Sequence, residues 1–206
     1  MTLPRLYAII DVFCLAGPVT TAAVVEYARE LALGGATLIQ YRNKFGGPRE
    51  MLSHAREIRR VLGPDVDLMV NDRADLCLAA GCEGVHVGQD DLSPAAVRAM
   101  IGPERILGVS THNLEQVKRA DAEAADYIAF GPVFATASKR NPDAIVGLEG
   151  VRAARAVTTK PLVAIGGITR ANARSVIETG ADCVAVIADL LSSPQKTAEE
   201  FLRGML

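Results

Sequence analysis

The sequence predicts a (β/α)8 barrel of the TIM type, a single domain spanning residues 1–206. Two observations carry that expectation. Short apolar runs of strand length alternate about eight times with segments of helical spacing. Unusual polar residues also collect just after those runs, where such a barrel places its chemistry. The chain has 206 residues, half of them apolar, which suits one domain with a buried parallel sheet.

The expected strands are Leu6–Ile10, Thr37–Tyr41, Leu68–Val70, Gly84–Val87, Ile106–Val109, Tyr127–Phe130, Leu162–Ile165 and Val184–Ile187. Helical spacing appears over Ala22–Leu31, Met51–Ile58, Pro94–Ile101, Leu114–Ala122, Leu148–Val157, Ala171–Thr179 and Gln195–Leu206. Ser93-Pro94 and Ser193-Pro194 set an N-cap before a first-turn proline, and Thr169 or Asn172 can cap the penultimate helix. The returns at Gly34-Gly35, Gly81 and Gly180 suit left-handed helix ends. Strict alternation implies parallel strands with right-handed crossovers. An open doubly wound sheet needs fewer units, and no G-x-G-x-x-G follows the first strand.

Charge and cysteine usage narrow the function. Twenty-two Lys and Arg against 24 Asp and Glu give a net charge of −2, which gives no basis for binding nucleic acid or an anionic membrane. Cys14, Cys77, Cys82 and Cys183 form no C-x-x-C pair, and His54, His86 and His112 no H-x-x-x-H. Lone thiols, the lack of a signal-peptide pattern and of a run of about 20 apolar residues point to the cytoplasm. The sequence leaves a homo-oligomer open.

The polar clusters point to an anion. Gln40, Arg42 and Lys44 are spaced i, i+2, i+4, so an extended chain puts all three on one face. A guanidinium, an ammonium and an amide converging at a barrel mouth can clamp a phosphate, although a solvated strand end would show the same alternation. Asp72 and Asp91 follow adjacent strands. Their carboxylates can be salt-bridge partners of the cations, or can hold Mg2+ whose other positions are filled by phosphate oxygens. Gly166-Gly167 and Ile187-Ala188 end strands seven and eight, where barrels often bind a phosphate on backbone N–H groups. His86 reads as a packed core group, His54 as a structural or exposed helix residue, and His112 as a strand-end candidate for acid–base work.

In order and spacing these segments resemble the thiamine phosphate synthase family over essentially the whole chain. The resemblance rests on Leu6-Tyr7-Ala8-Ile9, Gln40-Tyr41-Arg42-Asn43-Lys44, Asn71-Asp72-Arg73, Gly84 through Asp91 and Gly108 through His112. It continues through Asp126-Tyr127, Gly131 through Lys139, Gly147-Leu148 and Ile165 through Thr169. It implies a transferase that joins hydroxymethylpyrimidine diphosphate to a thiazole phosphate, releasing pyrophosphate and, with carboxylated thiazole, carbon dioxide. It further implies that Gln40, Tyr41, Arg42, Asn43, Lys44, Asn71, Ser110 and Lys139 bind the pyrimidine diphosphate. Among these, Arg42, Lys44, Lys139 and Ser110 would be catalytic. Thr136, Ala137, Ser138, Gly167, Ile187 and Ala188 would hold the thiazole phosphate, and Asp72 and Asp91 the Mg2+.

The chain departs from the family pattern at three places. Ser138 stands for a usual threonine, Ile10 for a common threonine, and Ala188-Asp189 for a serine followed by a small residue. An acid pointing inward at Asp189 would weaken a phosphate site. Two rivals share the barrel: a thiazole tautomerase working through His112, and a non-catalytic sensor of thiamine precursors. Asn71-Asp72, Gln89-Asp90-Asp91, Arg42 and Lys44 favour the synthase over both, because an isomerase or a sensor has no leaving diphosphate to stabilise.

Overall fold

The computed structural model describes residues 2–17, 19–136 and 143–205. Eight parallel strands close into a barrel in chain order, β1 pairing with β8. They are β1 Leu6–Asp11, β2 Leu38–Arg42, β3 Asp67–Asn71, β4 Gly84–Val87, β5 Ile106–Thr111, β6 Tyr127–Phe130, β7 Leu162–Ile165 and β8 Cys183–Val186. The helices are α1 Thr21–Leu33, α2 Pro48–Val61, α3 Ala74–Ala80, α4 Pro94–Ile101, α5 Leu114–Ala122, α6 Gly147–Arg155, α7 Ala173–Ile177 and α8 Pro194–Gly204. The expected barrel is therefore the observed one. Helix α3 had not been expected: its seven residues, Ala-Asp-Leu-Cys-Leu-Ala-Ala, are too few to show a helical period.

Strand alternation sorts the side chains into two cores. Tyr7, Ile9, Leu38, Met69, Tyr127, Ala129, Val163, Cys183 and Ala185 fill the barrel. Ala8, Ile10, Ile39, Tyr41, Leu68, Val70, Val85 and Val87 pack outward on helix residues such as Val24, Ala28, Ile58, Val97 and Phe201. Glycine is required inside the barrel where bulk arrives from a neighbouring strand. A Cβ at Gly108 would fall within the Tyr127 phenol, and one at Gly84 would come within 2.6 Å of Met69 Cε.

Two caps differ from expectation. Ser93 caps α4, its hydroxyl accepting from Ala96 N at 3.3 Å, whereas Ser193 takes a left-handed conformation and makes no side-chain cap. Asn172 precedes α7 but turns back instead, donating from Nδ2 to Gly167 O at 3.1 Å and accepting at Oδ1 from Thr169 N. Gly81 and Gly180 have positive φ, as the helix-end reading required.

The lower rim carries a repeated device. Glu83 Oε2 accepts from Arg59 at 2.7 Å and from Leu68 N at 2.8 Å. Asp126 Oδ2 does the same with Arg98 at 2.5 Å and Leu107 N at 2.7 Å. Asp182 Oδ2 repeats it with Arg155 at 2.9 Å and Leu162 N at 2.8 Å. Each acid lies just before a strand, tying it to an amide at the start of the preceding strand and to an arginine from an even-numbered helix.

Candidate functional site

A cavity of about 800 Å3 opens at the C-terminal ends of the strands, a size suited to small molecules. The alternation of β2 extends into the loop beyond it, so Gln40, Arg42 and Lys44 all reach the wall. Register sets Arg42 opposite Asp11, and the two form an ion pair. Asp11 is almost wholly buried, and its other oxygen accepts from Phe13 N at 3.1 Å. The apolar run ends at Ile10, whereas the strand continues to Asp11. Continuing the Tyr7, Ile9 alternation by one step points it inward.

The same alternation corrects two expectations. Tyr41 and Asn43 point away from the cavity. Tyr41 is fully buried outside the barrel, where its hydroxyl meets His54 Nδ1 at 2.9 Å. Asn43 Oδ1 accepts from Phe45 N and Gly46 N, and its Nδ2 donates to Tyr41 Oη. Both shape the β2–α2 turn. His54 is a buried structural group, its pKa lowered by burial.

Asn71, Asp72, Asp91 and Ser110 also line the cavity. Asp72 has φ of 61°, a region that L side chains seldom enter, and its backbone N donates to His86 O at 2.8 Å. Its carboxylate accepts from Lys44 Nζ at 2.5 Å. Burial raises the Asp72 pKa, Lys44 opposes that, and neighbouring Asp91 adds to it. The two carboxylates therefore stand close together, as their positions after adjacent strands led us to expect. Asp91 Oδ2 additionally accepts from Gly88 N at 2.8 Å. No third Asp, Glu, His or Cys joins them in a cluster among the described residues.

The floor is polar and largely buried. Gln40 Nε2 donates to Tyr7 Oη at 2.6 Å, and Tyr127 Oη donates to Tyr7 Oη at 3.0 Å. His86 Nδ1 lies 2.8 Å from Tyr127 Oη, and its Nε2 lies 2.8 Å from Ser110 Oγ. Burial lowers the His86 pKa to about 4, so the ring is neutral at pH 7. His86 is the packed group expected, but it also forms part of the cavity wall.

The opposite wall holds Thr136, Gly167, Ile187 and Ala188. Ala137, Ser138 and Lys139 lie outside the described residues. Gly166 and Gly167 have φ of 102° and 63° and let the segment after β6 cross the end of β7: a Cβ at Gly166 would meet Pro132 Cβ at 2.5 Å. Phe134 N donates to Gly166 O at 3.0 Å. Asp189 also borders the cavity, but its carboxylate is engaged by Arg170, accepting from the backbone N at 2.9 Å and from Nε at 3.0 Å. Arg170 in turn pairs with Glu200 on α8. The acid is thus neutralised locally, and the concern raised by Ala188-Asp189 is correspondingly smaller. His112 sits at the mouth, its Nδ1 donating to Gly131 O at 2.8 Å.

Comparison with known proteins shows the family and the fold. The family described as thiamine monophosphate synthase matches residues 6–190. The chain belongs to the thiamine monophosphate synthase family. A thiamine-phosphate synthase of Koribacter versatilis is 60% identical over 203 residues, covering 98% of this chain and 96% of that one. One from Chloroflexus aurantiacus is 44% identical over 195 residues, covering 94% and 88%. The structure is also similar to a thiamine phosphate pyrophosphorylase from Pyrococcus furiosus, with a TM-score of 0.86 at 35% identity over 98% of this chain and 95% of that one. Tryptophan synthase α-subunit from Legionella pneumophila, with a TM-score of 0.70 at 18% identity, shares the fold alone. Within the thiamine monophosphate synthase family, the barrel mouth built by β2, β3, β4 and β5 is the natural place to look for chemistry.

Proposed function

We propose that this chain is a transferase that joins hydroxymethylpyrimidine diphosphate to a thiazole phosphate, free or carboxylated, with release of pyrophosphate. With the carboxylated thiazole, carbon dioxide leaves as well. The observation that carries the reading is one cavity in which Arg42 and Lys44 face the Asp72 and Asp91 carboxylates. Cations bind a diphosphate, and two carboxylates are a donor set that suits Mg2+ when phosphate oxygens complete its shell. Asp72 and Asp91 would hold the ion, which when bound supplies charge neutralisation for the diphosphate.

The protein's own groups account for the rest of the reaction. Arg42, braced by Asp11, and Lys44 take the negative charge that grows on the diphosphate as its C–O bond breaks and keeps the electron pair. Gln40 and Asn71 orient that end, and Ser110 meets the pyrimidine. Electron donation from the amino-substituted ring stabilises the methyl cation left behind. The thiazole nitrogen lone pair then forms the new C–N bond, so holding the second substrate in line supplies much of the acceleration. Thr136, Gly167, Ile187 and Ala188 would hold its phosphate. Ala137, Ser138 and Lys139 are assigned by the family resemblance.

The test is turnover by purified protein given both substrates, with and without Mg2+, reading thiamine phosphate. Mg2+-dependent product is expected, with a fall of at least about 100-fold in Asp72→Ala. No product from correctly folded protein would overturn the reading, and product independent of Mg2+ and of Asp72 would overturn the metal assignment.

A further inference from the structure

Strand β1 supports the clamp on β2 from beneath. Register sets Ile9 opposite Gln40 and Asp11 opposite Arg42, so Tyr7 stands diagonally below Gln40, within reach of its long side chain. The Tyr7 hydroxyl lies 2.6 Å from Gln40 Nε2. Among the described residues this is the one hydrogen bond of the Gln40 amide, and its remaining polar atoms are left to the cavity that Gln40 lines. Gln40 is buried, so removing the Tyr7 hydroxyl would leave a buried amide without its anchor.

Tyr7 is itself held from across the barrel. Its hydroxyl lies 3.0 Å from Tyr127 Oη, and the two rings meet edge-on with centroids 5.9 Å apart at 86°. The Tyr127 phenol fills the space that Gly108 leaves open on β5. Burial raises the pKa of both phenols, so both remain hydroxyls. The support does not depend on which way the protons point. A phenol can donate or accept, and so can an amide, so either direction keeps both contacts. Tyr7 Oη is thus fixed between β6 and the clamp.

We propose that Tyr7 is a positioning residue whose hydroxyl fixes the Gln40 amide at the diphosphate end of the cavity, as Asp11 fixes Arg42 beside it. Tyr7 acts through Gln40 and not on the reacting atoms. That the ligand is a diphosphate rests on the function proposed above, whereas the hold of Tyr7 on Gln40 does not.

The experiment is a double-mutant cycle of Tyr7→Phe and Gln40→Ala in the full chain. Each single variant is expected to lower kcat/KM for the pyrimidine diphosphate about tenfold, chiefly through KM. KM for the thiazole phosphate should stay within about twofold, which a general loosening of the barrel would not spare. In the Gln40→Ala background, adding Tyr7→Phe should lower kcat/KM by less than about twofold more. A further loss of about tenfold would overturn the proposal, since Tyr7 would then act on the substrate or the whole barrel. A second measurement needs neither turnover nor a folded Tyr7→Phe. In ligand-free wild-type protein, 15N relaxation of the Gln40 side-chain amide, assigned with Gln40→Ala, should give an order parameter near about 0.85. A value below about 0.6 would overturn the proposal. If the wild type turns over neither substrate, the substrate reading fails, and the cycle is read in calorimetric binding of inorganic pyrophosphate with Mg2+. Non-additive losses there would still support the role of Tyr7, and additive ones would overturn it.

Discussion

Asp11 shows how much one buried side chain can decide. It lies beside Arg42 at the end of two paired strands, and its other oxygen holds the turn that follows. Asp11→Asn keeps the shape and removes the charge that aims the guanidinium. We expect KM for the pyrimidine diphosphate to rise about tenfold or more, the scale of one lost charge-assisted hydrogen bond, with kcat less affected. Steady-state kinetics checks this, and an unchanged KM would mean Arg42 needs no brace. Asp189 is a contrasting case. Because Arg170 already engages its carboxylate, Asp189→Ser is expected to alter thiazole phosphate affinity less than threefold, measured by calorimetry. A larger tightening would show that its charge reaches the ligand. Gln40, Arg42 and Lys44 were legible in the sequence from spacing alone. The family resemblance sets Tyr41 and Asn43 at the ligand beside them, but alternate residues on a strand face opposite ways, and both pack outside the barrel.

Among elements, the loops that build the mouth depend on backbone geometry more than on side chains. Gly167 combines a φ of 63° with neighbours, Phe134 Cβ at 2.8 Å among them, that leave no space for a Cβ. Gly167→Ala is expected to cost about 1–3 kcal/mol by strain and overpacking, and to displace the segment carrying Thr136. Urea unfolding together with thiazole phosphate affinity checks both parts; loss of neither would mean the crossing tolerates a methyl group. At the opposite rim, Asp126→Asn should lower stability by about 1 kcal/mol, because the Arg98 pair is partly exposed, and should leave turnover intact. Urea unfolding and kinetics separate this rim from the mouth. The strands were legible because fully buried parallel strands are short unbroken apolar runs. Helix α3 was not, since two turns carry too little periodicity, and Asn172 as a loop brace was not, because its partners come from the turn after β7.

For the molecule as a whole, the polar floor makes stability depend on pH. His86 is held neutral by burial with a pKa of about 4, below the ordinary 6.5 of an unfolded chain. Below pH 6.5 the unfolded chain binds a proton that the folded one refuses, so stability is lost as pH falls from about 6.5 toward 4. At pH 5 the contribution is about 2 kcal/mol relative to pH 7. Urea unfolding at both pH values should show this loss in the wild type and a smaller one in His86→Gln. Equal losses would mean His86 titrates alike in both states.

By itself the sequence determined the barrel, its strand and helix order, and the face on which Gln40, Arg42 and Lys44 meet, because hydrophobic period and strand alternation are local properties. It also placed Asp72 and Asp91 near one another, since adjacent parallel strands end side by side. Only the tertiary structure decided that Asp11 braces Arg42, that Arg170 engages Asp189, and that Tyr7, Tyr127, His86 and Ser110 form one hydrogen-bonded chain. Those partners lie 19 to 120 residues apart or on neighbouring strands, and closure of the barrel is what brings them within hydrogen-bonding distance.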